Sequence, residues 1–142
     1  VNISAKTEYA CIAVLELAAQ YGSGQPVRIG MIADKHGVPS RFLVQILLQL
    51  KGAGLVGSTR GASGGYQLIR DPAEITLGEV MAVIEGQSYE VTSNATRETS
   101  TSRVLLESWN EVATLQNEML SATTFADLVN RAKDDLANMY YI

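Results

Sequence analysis

The sequence is poor in the side chains that most often perform chemistry. It holds one cysteine, Cys11, and one histidine, His36, among 142 residues. A single thiol excludes an intramolecular disulfide and supplies too few soft ligands for a Cys-rich metal site, so no metal or cofactor is expected. No nucleophile–base pair or carboxylate dyad stands at a usable spacing, and the chain is not read as an enzyme. Long apolar runs are missing too: nothing approaches the ~20 residues that a membrane span needs. The N-terminus lacks the charged-then-apolar plan of a signal peptide, and the expectation is a cytoplasmic protein with no membrane partner. Basic residues are outnumbered, 11 against 15 acidic, for a net charge of -4. Taken alone, that deficit argues against nucleic acid, because phosphate binding relies on Lys and Arg.

The average conceals two unlike halves. Residues 1–70 carry seven basic side chains (Lys6, Arg28, Lys35, Arg41, Lys51, Arg60 and Arg70) against Glu8, Glu16 and Asp34, whereas residues 71–142 carry four basic and twelve acidic ones. A basic half is joined to an acidic half. With 46% apolar residues the chain can bury a core, and its length suits one domain plus an appendage.

Local patterns place the elements. "SAKTEYACIAVLELAAQYGSG" reads as a helix capped at Ser4 and stopped at Gly22, with Glu16 and Gln20 on its polar arc and Cys11 opposite, in the core. A short helix from about Gly30 to His36 ends at Gly37. Val38-Pro39-Ser40 then leads into a second helix reaching about Lys51, with Ser40 as its cap or first-turn residue. Two helices around a short Gly-containing turn form the helix-turn-helix plan. In the second of them Phe42, Leu43, Ile46, Leu47 and Leu50 share an arc about 140° wide that faces the core. Ser40, Arg41, Val44 and Gln45 lie on the other side, where a recognition helix meets base edges, with Leu48 farther along.

Leu55–Thr59 and Tyr66–Ile69 read as strands around "RGASGG", a β-hairpin. The turn could be a phosphate-binding loop, a purely structural hairpin, or the wing of a winged helix. No Gly-Lys-Ser/Thr ending follows it, which disfavours the first. Arg60 beside permissive glycines favours the third, since narrow minor grooves attract Arg. Thr76-x-x-Glu79 reads as a capping box before a helix that stops at Gly86. In residues 87–103 eight side chains are Ser or Thr and the apolar period vanishes, as in a flexible loop. From Val104 to Leu120 a stripe of Leu105, Trp109, Val112, Gln116 and Met119 returns at steps of three and four, and it needs another surface to cover it. Thr124 with Asp127 opens a last helix through "TFADLVNRAKDDLANMYY". The fold expected is mainly α with a small β-hairpin wing: a winged helix-turn-helix domain over 1–86, a Ser/Thr-rich loop over 87–103, and dimerisation and C-terminal helices over 104–142.

"ISAKTEYA", "PVRIGMIADKHGVPSRFLVQILLQLKGAGLV", "STRGASGGYQLIRDPAEITLGEVMAVIEG" and "TFADLV" together resemble the Rrf-type family of winged-helix transcriptional regulators. The resemblance implies a homodimer that binds an imperfect palindrome of double-stranded DNA, and the function expected of this chain is that of a repressor. It implies Ser40, Arg41 and Gln45 on the recognition helix, and Arg60 of the wing in the minor groove. Gly61, Gly64 and Gly65 would let the wing's backbone approach the DNA, and Ser4, Lys6 and Tyr9 would lie near phosphates. Arg28 and Lys51 are read as further phosphate contacts, against the plainer alternative of a solvated face. Cluster-binding relatives hold iron–sulfur with three cysteines in the loop, some adding a histidine. Here residues 87–103 contain neither, the last cysteine position falls at Arg103 and the histidine position at Leu106. Arginine and leucine cannot replace thiolate and imidazole as iron ligands. The resemblance therefore implies a cluster-free regulator answering to a small molecule or a partner protein. The competing reading is a winged-helix protein-interaction module that works through its acidic half and has lost DNA binding. His36 is read as a helix C-terminal residue or a phosphate contact.

Overall fold

A computed structural model describes residues 2–86 and 91–139. The first four residues of the Ser/Thr-rich stretch and the last three of the chain, including the end expected for the final helix, lie outside them.

Helix α1, Ala5–Ala19, starts where Ser4 Oγ accepts the Thr7 N–H at 3.1 Å. It leaves helical geometry at Gln20, ahead of Gly22, which serves the following turn with φ 82°. Helix α2, Ile29–His36, closes on Gly37 in the left-handed conformation, φ 66°, which lets the chain reverse into helix α3, Ser40–Gly52. Pro39 takes the cap position of α3, so Ser40 is its first helical residue and makes no cap.

Strands β1 (Val56–Thr59) and β2 (Gly65–Leu68) pair antiparallel with Val56 opposite Leu68 and Thr59 opposite Gly65. Val27 extends the hairpin on its other edge: it exchanges two backbone hydrogen bonds with Tyr66, each 2.8 Å. The wing is thus tied to the strand-like entry of α2.

A 3-10 turn, Pro72–Glu74, precedes helix α4, Leu77–Glu85. Thr76 Oγ1 accepts the Glu79 N–H at 3.1 Å as the pattern demands. The reciprocal half of the expected capping box does not form, because Arg70 Nη1 donates to Glu79 Oε2 at 2.6 Å and holds the carboxylate away. Residues 91–99 carry no regular structure, and all but Val91 are exposed.

Helix α5, Ser100–Ala122, begins four residues before the point where its apolar stripe becomes visible. Thr99 and Ser102 cap each other's backbone reciprocally, a box built with Ser where Glu or Gln is usual. Helix α6, Phe125–Met139, starts at Thr124, whose Oγ1 accepts the Asp127 N–H.

One core joins the two ends of the chain. Ala10, Ala13, Val14 and Leu17 of α1 meet Leu43, Ile46, Leu47 and Leu50 of α3, with Leu55, Val56 and Leu68 of the wing, Ile75 and Val80. Phe125 and Val129 of α6 belong to the same cluster, and Phe125 is fully buried. Burying a side chain of that size contributes about 2–3 kcal/mol. The division expected after residue 86 is therefore crossed: α6 returns to complete the winged domain. The return is fixed by backbone, Leu77 N–H to the Thr123 carbonyl and Phe125 N–H to the Ile75 carbonyl, both 2.9 Å. Helix α5, between these anchors, contributes no buried residue. Among the described residues no helix is long and apolar enough to cross a membrane.

Candidate nucleic-acid interface

Helix α3 separates its two faces as its spacing requires. Leu43, Ile46, Leu47 and Leu50 are buried, while Ser40, Arg41, Val44, Gln45 and Leu48 are exposed. Phe42, expected wholly in the core, is half-buried at the border. Its ring packs at 5.9 Å and 58° against Tyr9 of α1, and the Arg41 guanidinium lies over its outer side at 5.3 Å from the centroid. That distance is within the range of a cation–π contact. Tyr9, expected near phosphates, thus also packs α1 against α3 through Phe42, and Arg41 lies back along the helix surface.

The three wing glycines have different causes. Gly61, at φ 101°, is exposed with nothing within 4 Å of where a Cβ would stand. Gly64 is buried, and a Cβ there would meet the Thr59 carbonyl oxygen at 2.2 Å. Gly65, at φ 149°, would bring a Cβ to 2.5 Å from the Val27 carbonyl. The close approach expected toward DNA is, at Gly64 and Gly65, an approach of the protein's own backbone.

Arg60 stands exposed at the turn. Two other basic residues reach the same hairpin from either side: Arg28 Nη2 donates to the Gly61 carbonyl at 3.5 Å, and Lys51 Nζ donates to Ser58 Oγ at 2.7 Å. Both side chains remain on exposed residues, so their charge stays beside the wing. The structure brings together α3's outward face, the wing with Arg60, and these flanking cations.

The start of α1 is held by α4. Ser4 Oγ and Thr7 Oγ1 both donate to Glu85 Oε1, at 2.7 and 2.6 Å, and these bonds hold the Glu85 carboxyl below the usual range. Thr7 is buried, and Lys6 lies half-buried beside it. Sequence reasoning missed Thr7 and Glu85, since a contact spanning 78 residues leaves no local pattern.

Between α1 and α2, Glu16 Oε1 accepts from Lys35 Nζ at 2.8 Å and lies 2.7 Å from His36 Nε2. Burial raises the Glu16 pKa, but hydrogen bonds and charges from Lys35 and His36 outweigh it, and the net shift is downward. His36 closes α2 and is taken by this pair. Cys11 is half-buried, and burial, with a smaller contribution from the charge of Glu85, pushes its thiol up to about 11. A neutral thiol at pH 7 is a poor nucleophile and a poor metal ligand.

The long helix is the other open surface. Leu105, Trp109, Val112 and Met119 are 47%, 53%, 60% and 73% exposed, and Gln116 is half-buried in line with them. Asn110 performs a separate task that sequence reasoning overlooked: its amide oxygen accepts the Val91 N–H at 2.8 Å, and its amide nitrogen donates to the Val91 carbonyl at 3.2 Å. The side chain imitates a strand partner and pins residue 91 to α5.

A family model described as Rrf2, an iron-dependent transcriptional regulator, matches residues 3–131. CymR of Bacillus subtilis, an HTH-type transcriptional regulator, is 34% identical over 142 residues, 99% of each chain. An rrf2-like HTH-type regulator of Rhodobacter capsulatus is 45% identical over 86 residues, 59% of this chain and 57% of its own. The solved structure of CymR, the global cysteine regulator of B. subtilis, superposes with a TM-score of 0.80 at 33% identity, covering 92% of this chain and 98% of that one. IscR of T. potens gives 0.76 at 30% identity, covering 95% and 90%. The iron dependence in the family's description does not fit this chain's residues. Its one thiol is half-buried in α1 and neutral, its one imidazole is engaged by Glu16, and no group of three His, Cys, Asp or Glu side chains among the described residues could hold a metal ion.

Proposed function

Because the chain belongs to the Rrf2 family of transcriptional regulators, we propose that it works in the cytoplasm as a homodimeric repressor that binds an imperfect palindrome and needs no iron–sulfur cluster. The observation that carries this reading is the outward face of α3, left uncovered beside a wing whose tip presents Arg60. Ser40, Gln45 and, once it leaves the Phe42 ring, Arg41 meet base edges, Arg60 enters the minor groove, and Arg28, Lys51 and Lys6 meet phosphates. The apolar stripe of α5 supports the dimer: Leu105, Trp109, Val112 and Met119, exposed within one copy, are covered when two copies cross. Two recognition helices then address half-sites about 10 base pairs apart or a multiple of that. An effector, a small molecule or a partner protein, acts through the stretch between α4 and α5.

Selection of duplexes from a random pool, with an iron chelator present throughout, tests the reading in one step. A palindromic site should emerge, and Arg60→Ala and Gln45→Ala should each weaken binding to it by about 1–3 kcal/mol at stated salt, Gln45→Ala also relaxing base preference. Recovery of a site only when iron and sulfide are supplied would overturn the cluster-free part. No enrichment of any duplex, together with a stable protein partner in pull-downs, would favour the interaction module instead.

A further inference from the structure

The centre of α3's outward face is apolar. Val44 and Leu48 lie one turn apart and are 43% and 57% exposed. Neither serves the core, which takes Leu43, Ile46, Leu47 and Leu50 from the opposite side of the same helix. Around them stand Ser40 and Gln45, uncharged, and Arg41, whose guanidinium lies back over Phe42. Two branched aliphatic side chains at the centre of this face gain free energy when a partner covers them.

In the major groove one base edge offers a matching surface, the C5-methyl group of thymine. Resting on the reading of α3 as the recognition helix, we propose that Val44 and Leu48 recognise thymine by packing on C5-methyl groups in each half-site. Four helical residues advance about 6 Å along the axis, and base pairs on a strand follow at about 3.4 Å. Since the helix enters the groove at an angle, the two thymines stand within about two base-pair steps of each other. Gln45, adjacent to Val44, is suited to adenine N6 and N7, so both kinds of contact select A·T pairs.

Replacing thymine by uracil removes the methyl and nothing else. In a duplex recovered by random-pool selection, each thymine of one half-site is replaced singly and binding is followed by fluorescence anisotropy. The parent protein should lose about fourfold in affinity at one or two positions, the two within about two steps of each other, the worth of one buried methyl-sized group. Val44→Ser should lose a similar factor on the thymine duplex and bind thymine and uracil equally at one of those positions, and Leu48→Ser at the other. Both residues are exposed, so the variants should keep the parent's melting curve. Arg60→Ala should bind every duplex more weakly yet keep the thymine preference. A parent that is indifferent to uracil at every position, or serine variants that keep its full preference, would overturn the proposal while leaving DNA binding intact. Failure to recover any duplex would instead remove the reading on which the proposal rests, and the proposal with it.

Discussion

Gly61 and Gly64 stand three residues apart in one turn and are kept as glycine by unlike forces. At Gly64 a methyl would overlap backbone that cannot swing aside, 2.2 Å from the Thr59 oxygen. Gly64→Ala should therefore open the wing and lower stability by about 3 kcal/mol, the upper end of what overpacking costs. At Gly61 only the positive φ is strained, since the space is empty, and Gly61→Ala should cost about 1–2 kcal/mol. Urea unfolding of both variants checks the ranking, and equal losses would contradict it. From sequence the glycines looked alike, because a sequence shows that a Cβ is missing and not what it would strike. The same blindness applied to Tyr9, Arg28 and Lys51. Their types suited phosphate, and nothing in the sequence showed that Tyr9 also packs, tilted, against Phe42 or that the two cations also reach the wing. What was legible at this scale was Cys11, whose place opposite Glu16 on α1 already put its thiol against the core.

Among the elements, the helix-turn-helix could be read almost residue by residue, because Gly37, Pro39 and the period of α3 are local signals. The start of α5 could not, since Ser102 is an uncommon partner in a capping box and the first turn lies inside a polar run. Contacts between elements were invisible for the same reason of distance, chief among them the hydrogen bonds from Ser4 and Thr7 to Glu85 that join α1 to α4. These bonds predict an acid response. Glu85 and Glu16 both titrate below their usual range in the folded chain. Their stabilisation is present above the unfolded glutamate pKa, about 4.3, and is lost as pH falls through the lower folded values. The melting temperature should fall below about pH 4.3, and less steeply in Glu85→Gln, which keeps an acceptor oxygen without the titration. Parallel acid limbs for the parent and this variant would refute the role of Glu85.

At the scale of the molecule, α5 is a long helix with its apolar side in water, and that much its stripe foretold. A cation in the middle of the stripe should keep the subunit folded and separate the copies. Trp109→Arg should sediment as a single chain with an unchanged helical signal. It should lose about 100-fold or more in affinity for a full palindrome, because the second half-site no longer benefits from linkage. A variant that remains dimeric would move the dimer contact elsewhere. The return of α6 was not legible, since Phe125 and Val129 gain their burial from a core whose other members, Ala10 to Val80, lie far earlier in the chain.

Asn110 grips Val91, and Thr99 is locked by Ser102, so the chain between them runs exposed from one fixed post to another. Lengthening such a span is cheap, about 0.6 kcal/mol for each doubling. The exposed side chains from Thr92 to Glu98 place little restriction on what is written there. Under the proposed reading, a sensor exchanged at this slot leaves the operator unchanged, because nothing around it has to refold.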